Sequence, residues 1–254
     1  MIRLEIKDQF LKYKNLLDDF TNNFDYSGIP FGNQDRNSLK LFKLDDKVIN
    51  IKSFRIPNLI NQVVYNFFRK SKAQRSFEYA NKLTDLNIGT PEPIGYYEFK
   101  TPLLFKKSFY ISEQLDCDIT YRELTTDLNY HNHESILRAF TRFTYQMHQK
   151  QVHFLDHSPG NTLIQINNGD YKFFLVDLNR MEFKSLDFKT RIKNFSRLTI
   201  HKSMVKVMSH EYAKCSGEDY DSIFNLMWQE TQNFQDRYYK KKRLKKKLKF
   251  WKRN

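Results

Sequence analysis

Asp156, Asn161 and Asp177 have side-chain types and a spacing that suit one piece of chemistry. Asp156 and Asn161 stand five apart in His153-Phe-Leu-Asp-His-Ser-Pro-Gly-Asn161, and Asp177 follows sixteen residues later at the end of the apolar run Phe173-Phe-Leu-Val-Asp177. Moving a phosphoryl group requires a carboxylate beside the attacking hydroxyl and two oxygen ligands for Mg²⁺ on the nucleotide phosphates. The spacing predicts Asp156 as the catalytic base and Asn161 and Asp177 as the metal ligands. An isolated D-x-x-x-x-N is a common loop pattern, and an Asx-rich connection in another α+β fold would contain it too.

The surrounding elements decide between these readings. Helical periodicity runs from Ile136 to Gln149 before the loop, and two strand-like runs, 162–166 and 173–177, follow it, joined by the turn Asn167-Asn-Gly-Asp170. That order is a catalytic loop, a hairpin and then a metal carboxylate. Upstream, the short apolar strand Val48-Ile-Asn-Ile-Lys52-Ser-Phe54 carries one lysine where a kinase has its nucleotide lysine. A helix is predicted over 72–83, with Ala73, Phe77, Ala80 and Leu83 as its buried face and Glu78 placed to reach Lys52. Such a pair orients the ammonium onto the α/β-phosphates, whereas a lone strand lysine sits on a solvated face. Next come the turn-rich Gly89-Thr-Pro-Glu-Pro-Ile-Gly95 and a strand over 108–115. In a kinase that strand leads to the hinge, placed here at Glu113 to Leu115, whose backbone meets adenine; an ordinary strand and loop would fit the same residues. Gly28-Ile-Pro-Phe-Gly32-Asn33 is the candidate phosphate-covering loop, with two glycines where G-x-G-x-x-G has three.

The motifs H-x-x-D-x-S-P-G-N and V-D-L-N-R-M-x-F, with A-x-R-S-F-E and T-P-x-P-I-G upstream, resemble the lipopolysaccharide kinase family. That family comprises bacterial enzymes similar to the Kdo and heptose kinases of the lipopolysaccharide inner core. The resemblance covers roughly residues 48 to 185 and is nearest to the Kdo-kinase branch. It implies an α+β, two-lobed protein-kinase-like fold with a small β-rich N-lobe and a mainly helical C-lobe, and ATP as the phosphoryl donor. It further implies Lys52 and Glu78 as the nucleotide-positioning pair, Asp156 as base, and Asn161 and Asp177 on the metal. The chain departs from the protein-kinase pattern in three ways. His153 precedes Asp156 by three residues rather than two, so Phe154 holds the usual histidine site. Leu155 replaces the usual arginine, so activation by loop phosphorylation is not expected. No A-P-E follows Asp177, which argues against a peptide-docking segment.

A length of 254 residues suits one two-lobed domain, divided as 1–115, 116–239 and a terminal tail. Cys117 and Cys215 are two widely spaced cysteines with no metal-ligand grouping, the pattern of a reducing compartment without disulfide or metal-cluster partners. The charged start, Met1-Ile-Arg-Leu-Glu-Ile-Lys-Asp, lacks the apolar run of a signal peptide, and no stretch approaches spanning length, so a cytoplasmic protein is expected.

The basicity is local. Of the net charge of +14, the fifteen residues 240–254 carry ten Lys/Arg and no acid, leaving +4 on the other 239. Leu244, Leu248 and Trp251 recur at i, i+4 and i+7, with Phe250 beside them, as in a basic helix lying on an anionic membrane. Each cation near such a surface contributes about 1 kcal/mol before screening. A solvated tail and an RNA-binding tail are the other readings of this composition, with nucleic acid ranked last.

The expectation is therefore an ATP- and Mg²⁺-dependent kinase of a sugar hydroxyl, Kdo on lipid A, working at the cytoplasmic face of the inner membrane. Arg180, just after the metal carboxylate, is a candidate for an anionic group of the acceptor, or else a salt-bridge partner inside the C-lobe. A small atypical protein kinase with an RNA-binding tail is the alternative enzyme. A silent kinase-like module that binds a membrane or partner is the alternative outside catalysis.

Overall fold

The computed structural model describes residues 1–32 and 37–251, the last five by backbone alone. The chain divides into two units, one made of 1–116 with 174–180 and the other of 117–173 with 181 onward.

The first unit is built on six strands. In chain order it holds β1 (Ile2–Ile6), α1 (Lys14–Asn22), β2 (Ile29–Pro30), β3 (Ser38–Leu44), β4 (Lys47–Phe54), α2 (Leu59–Phe67), α3 (Lys72–Asp85), β5 (Pro93–Lys100) and β6 (Phe105–Glu113). The strands order as β1-β5-β6-β4-β3-β2, with every neighbouring pair antiparallel. Side chains alternate across a strand, and β4 shows the consequence. Ile49 and Ile51 enter a cluster with Phe10, Leu17, Phe24, Phe42, Phe109 and Ile111. Phe54 instead packs with Ala73 and Phe77 of α3 and with Tyr96. Lys52 shares the parity of Phe54 and so stands on the α3 side of the sheet.

α3 starts where Ser71 caps it, its hydroxyl accepting from the Gln74 N–H at 3.0 Å. Its buried residues include Ala73, Phe77, Ala80 and Leu83, the face read from the sequence. Residues 1–47, which hold the candidate phosphate-covering loop, supply half of the strands of this sheet. β1 lies on β5 from Ile2↔Phe99 to Ile6↔Gly95, and a Cβ on Gly95 would fall 2.6 Å from the Glu5 carbonyl, so this edge pairing needs glycine there. The segment 174–180 is tied into the unit through the turn before β5: the Leu175 N–H donates to the Gly89 carbonyl at 2.8 Å and the Thr90 hydroxyl to the Leu175 carbonyl at 2.9 Å.

The second unit contains β7 (Ile119–Thr120), α4 (Tyr121–Thr126), α5 (His133–Gln149), β8 (Val152–Phe154), β9 (Thr162–Asn167), β10 (Asp170–Leu175), β11 (Met181–Phe183), α6 (Phe188–Lys193), α7 (Lys202–Ser216) and α8 (Tyr220–Trp251); the last two residues of β10 belong to the first unit. Its strands form a sheet of order β10-β9-β7 and the pair β11-β8. The turn between β9 and β10 has Asn168 at φ 48° and Gly169 at φ 91°, the positive pair that a tight hairpin needs. Leu137 and Phe140 of α5 meet Val205, Met208 and Tyr212 of α7 and Met227 of α8 in one core. β10 stops two residues short of the predicted end because Asp177 has φ 59°, outside strand geometry.

The basic segment from Lys240 is the continuation of α8 rather than a separate element. Leu244 is exposed. The side chains of Leu248, Phe250 and Trp251, and residues 252–254, lie outside the described residues, as does Asn33 of the candidate phosphate loop.

Candidate functional site

In the second unit the loop after β8 is held from below and from the side. Phe154 ends β8, opposite Met181, and His153 lies opposite Glu182, with its Nδ1 3.4 Å from Oε2 of that residue. The Asn194 amide donates to the Phe154 carbonyl at 2.9 Å. The His157 N–H returns to the same carbonyl at 3.2 Å, and the Asn161 N–H closes a 3₁₀ turn onto the Ser158 carbonyl at 2.9 Å. Asn161 Nδ2 donates to the Asp156 backbone carbonyl at 2.8 Å, which joins the two motif residues across the loop. The Asp156 carboxylate accepts from Arg197 Nη1 at 2.7 Å, and the same nitrogen lies 3.0 Å from the Leu155 carbonyl. The Arg197 guanidinium stacks 5.3 Å above the Phe234 ring.

Beneath the loop are two buried imidazoles. His157 lies among the rings of Phe140, Phe154 and Phe195, and burial pushes its pKa down to about 3. His148 sits 3.1 Å from the Tyr212 hydroxyl and 3.2 Å from Asn194 Oδ1. Burial lowers its pKa to about 4, opposed by the hydrogen bond to Asn194 Oδ1. Both rings are therefore neutral near pH 7, since a charge could not be solvated there.

In the first unit Lys52 Nζ meets Asp177 Oδ1 at 2.7 Å, although the residues are 125 apart in sequence. Asn179 Nδ2 donates to the same carboxylate oxygen at 2.8 Å. Asp177 adopts φ 59°, an uncommon region for a residue with a Cβ, which persists only where the surroundings hold it. The expected contact between Lys52 and Glu78 is not formed. Glu78 lies on α3 as predicted, but its carboxylate is taken by Lys70 at 2.8 Å and by Gln74, one turn earlier, at 2.9 Å. Asp177 takes the place at Lys52 because the 174–180 segment is anchored to this unit.

The hinge residues differ in what they offer. The Glu113 carboxylate pairs with Lys47, and its backbone N–H donates to the Glu92 carbonyl at 2.9 Å. Glu113 is thus committed to the sheet. The Leu115 carbonyl accepts from Gln114 Nε2 at 3.3 Å, and its N–H has no partner among the described residues. Ahead of the hinge, Gly28 and Gly32 both have positive φ, and the first packs so closely on Phe42 that a Cβ would fall 2.5 Å from the ring. Arg180 lies in the first unit with Asp177, and its charge helps to depress the pKa of Lys72 after burial.

Two side chains that hold the candidate site's carboxylates were missed in the sequence. Asn179 stood inside the V-D-L-N motif, two residues from the carboxylate it holds, where the spacing alone could have marked it. Arg197 had no such signal, because it lies 41 residues from Asp156 in a stretch without a motif.

The model of the lipopolysaccharide kinase (Kdo/WaaP) family matches residues 55–224. Two relatives named 3-deoxy-D-manno-octulosonic acid kinase are similar to this chain. That of Mannheimia succiniciproducens is 24% identical over 65% of this chain and 68% of its own length. That of Pasteurella multocida is 23% identical over 65% and 67%. A solved structure of WaaP in complex with acyl carrier protein superposes with a TM-score of 0.65 at 14% identity, covering 92% of this chain and 98% of the other, which shows a kinase-like α+β fold. Among the described residues no helix is long and apolar enough to cross a membrane.

Proposed function

This chain belongs to the lipopolysaccharide kinase (Kdo/WaaP) family, and we propose that Asp156, Asn161, Asp177 and Lys52 carry its phosphoryl transfer. Members of this family are kinases, and the chain phosphorylates a sugar hydroxyl of the lipopolysaccharide inner core with ATP. The contact of Lys52 with Asp177 is the observation that supports the residue assignment. It brings the motif lysine to the motif carboxylate at 2.7 Å across 125 residues of chain.

In this reading Asp156 orients the acceptor hydroxyl and takes its proton, with Arg197 fixing the carboxylate. Asn161 spends its Nδ2 on the Asp156 carbonyl, which leaves Oδ1 as its acceptor atom. That oxygen and the Asp177 carboxylate are hard donors of the kind Mg²⁺ takes. Mg²⁺ held by donors of this kind would neutralise charge on the β- and γ-phosphates. Lys52 contributes an ammonium for the nucleotide phosphates, and the Leu115 N–H a donor for adenine.

The acceptor hydroxyl in this proposal is on Kdo linked to lipid A, and the enzyme works peripherally at the cytoplasmic face of the inner membrane. Segment 240–254 supplies cations for the anionic surface, and 240–246 are exposed along α8. Incubation with labelled ATP and Kdo-containing lipid tests the reading, together with mass spectrometry of lipid A-core from cells with and without the gene. Transfer to the lipid and loss of one phosphate on Kdo are expected. Label appearing only on protein would replace this function with that of an atypical protein kinase.

A further inference from the structure

α2 is built the wrong way round for a helix of a water-facing domain. Leu59, Ile60, Val63 and Phe67 recur along one face, and that face is turned outward: Ile60 is 77% exposed and the adjoining Phe68 83%. The buried position is Gln62, whose Nε2 donates to the Pro57 carbonyl at 2.9 Å. A contiguous exposed apolar face marks an interaction surface.

The polar side of the same helix borders a cavity of about 590 Å³, whose lining includes Arg55, Arg69 and Lys72. Between residues 47 and 77 there are seven Lys/Arg and no Asp or Glu. Lys47, Lys52 and Lys70 have carboxylate partners elsewhere. Arg55, Arg69, Lys72 and Arg75 form no ion pair among the described residues; Lys72 lies over the Phe54 ring and Arg69 over that of Tyr65. Burial and the charges of Arg180, Arg75 and Lys52 lower the pKa of Lys72, while Asp177 opposes them. Such a cluster is stabilised by an anion from outside.

We propose that α2 and its cavity are a docking surface for an anionic lipid bilayer: the cations take a lipid phosphate, and the apolar face enters the acyl boundary. The arrangement of an outward apolar stripe flanked by unbalanced cations is that of an interfacial helix. A second copy of this chain suits the surface poorly, because a two-fold contact would set the same cations against each other. The surface is distinct from segment 240–254, and its binding to lipid does not depend on turnover.

Full-length protein, Ile60→Asp/Phe68→Asp and Arg55→Glu/Arg69→Glu are co-sedimented with vesicles of phosphatidylcholine alone and with vesicles containing phosphatidylglycerol. Wild type should partition onto the anionic vesicles, and each double variant should lose at least tenfold in partition constant while keeping its circular-dichroism spectrum and melting temperature. The unchanged basic segment of α8 cancels from the comparison. Wild-type partitioning by both variants overturns the proposal. So does loss in the arginine variant alone, with inorganic phosphate competing, which would make the cavity a site for a free anion. A wild-type dimer that the Ile60/Phe68 variant dissociates would give the face to a second copy, again against the proposal. Failure of the kinase reading would show instead as absent phosphoryl transfer with vesicle binding intact.

Discussion

Replacing Arg197 by Gln tests how the second unit holds its carboxylate. Arg197 Nη1 lies 2.7 Å from Asp156 Oδ1 and 3.0 Å from the Leu155 carbonyl, and the guanidinium covers Phe234. A hydrogen bond to a charged group contributes about 1.5–3 kcal/mol. Asp156 keeps 25% and Arg197 33% of side-chain exposure, so solvent takes part of that. The lower half of the range, if lost from the transition state alone, lowers kcat by a factor of about ten to fifty at 1.36 kcal/mol per decade. Arg197→Lys should recover only part of it, because an ammonium can meet the oxygens that Nη1 reaches but lacks the planar guanidinium that covers Phe234. KM for ATP should change little, since Lys52 and Asp177, proposed for the nucleotide and its metal, belong to the other unit.

The decisive measurement is a cycle with Asp156→Asn, which should reduce turnover by about a hundredfold or more while leaving nucleotide binding nearly intact. If Arg197 acts through Asp156, the double variant should be no slower than Asp156→Asn alone, within about threefold. Initial rates at several ATP and acceptor concentrations give all four corners, and thermal melts separate any loss of fold. Full additivity, or an Arg197→Gln enzyme within twofold of wild type, would refute the positioning argument.

Asp177→Asn should weaken Mg²⁺-dependent ATP binding while leaving metal-free nucleotide binding nearly unchanged; calorimetric titration with and without Mg²⁺ checks this. Glu78→Gln should change activity by less than about threefold, because its partner is Lys70 on an open surface, where such a pair is worth at most about 1 kcal/mol; a hundredfold loss would restore the Lys52–Glu78 pair as the working arrangement. Stability should fall as pH drops below about 6.5, because the unfolded chain protonates His148 and His157 while the fold keeps them neutral down to about 4 and about 3. Each adds about 1.4 kcal/mol per pH unit to that slope, so denaturant melts of His157→Phe between pH 6.5 and 4.5 should show a shallower slope than wild type, and an equal slope would count against the buried neutral ring. Deleting 240–254 should leave melting and ATP affinity intact and lower activity on membrane-embedded acceptor far more than on a water-soluble Kdo fragment. Equal vesicle binding by the truncated protein would remove the basic segment from membrane attachment.

Local chemistry determined what could be read before folding. The 3.6-residue recurrence of Ala73, Phe77, Ala80 and Leu83 specified both α3 and its buried side, because a helix needs one apolar face whatever it packs on. Asn168-Gly169 specified the hairpin, since few other residues accept two successive positive φ values. The five-residue step from Asp156 to Asn161 specified a loop that closes on itself, as the Asn161 amide on the Asp156 carbonyl shows. Partners across long separations were beyond such reasoning. Glu78 looked placed for Lys52, yet the tie between Gly89 and Leu175 brings Asp177 there and leaves Glu78 to Lys70. Arg197 and the outward face of α2 were equally hidden. A side chain's partner depends on which backbone passes within a few ångströms, and an apolar stripe shows that a face seeks cover without showing whether the protein itself provides it.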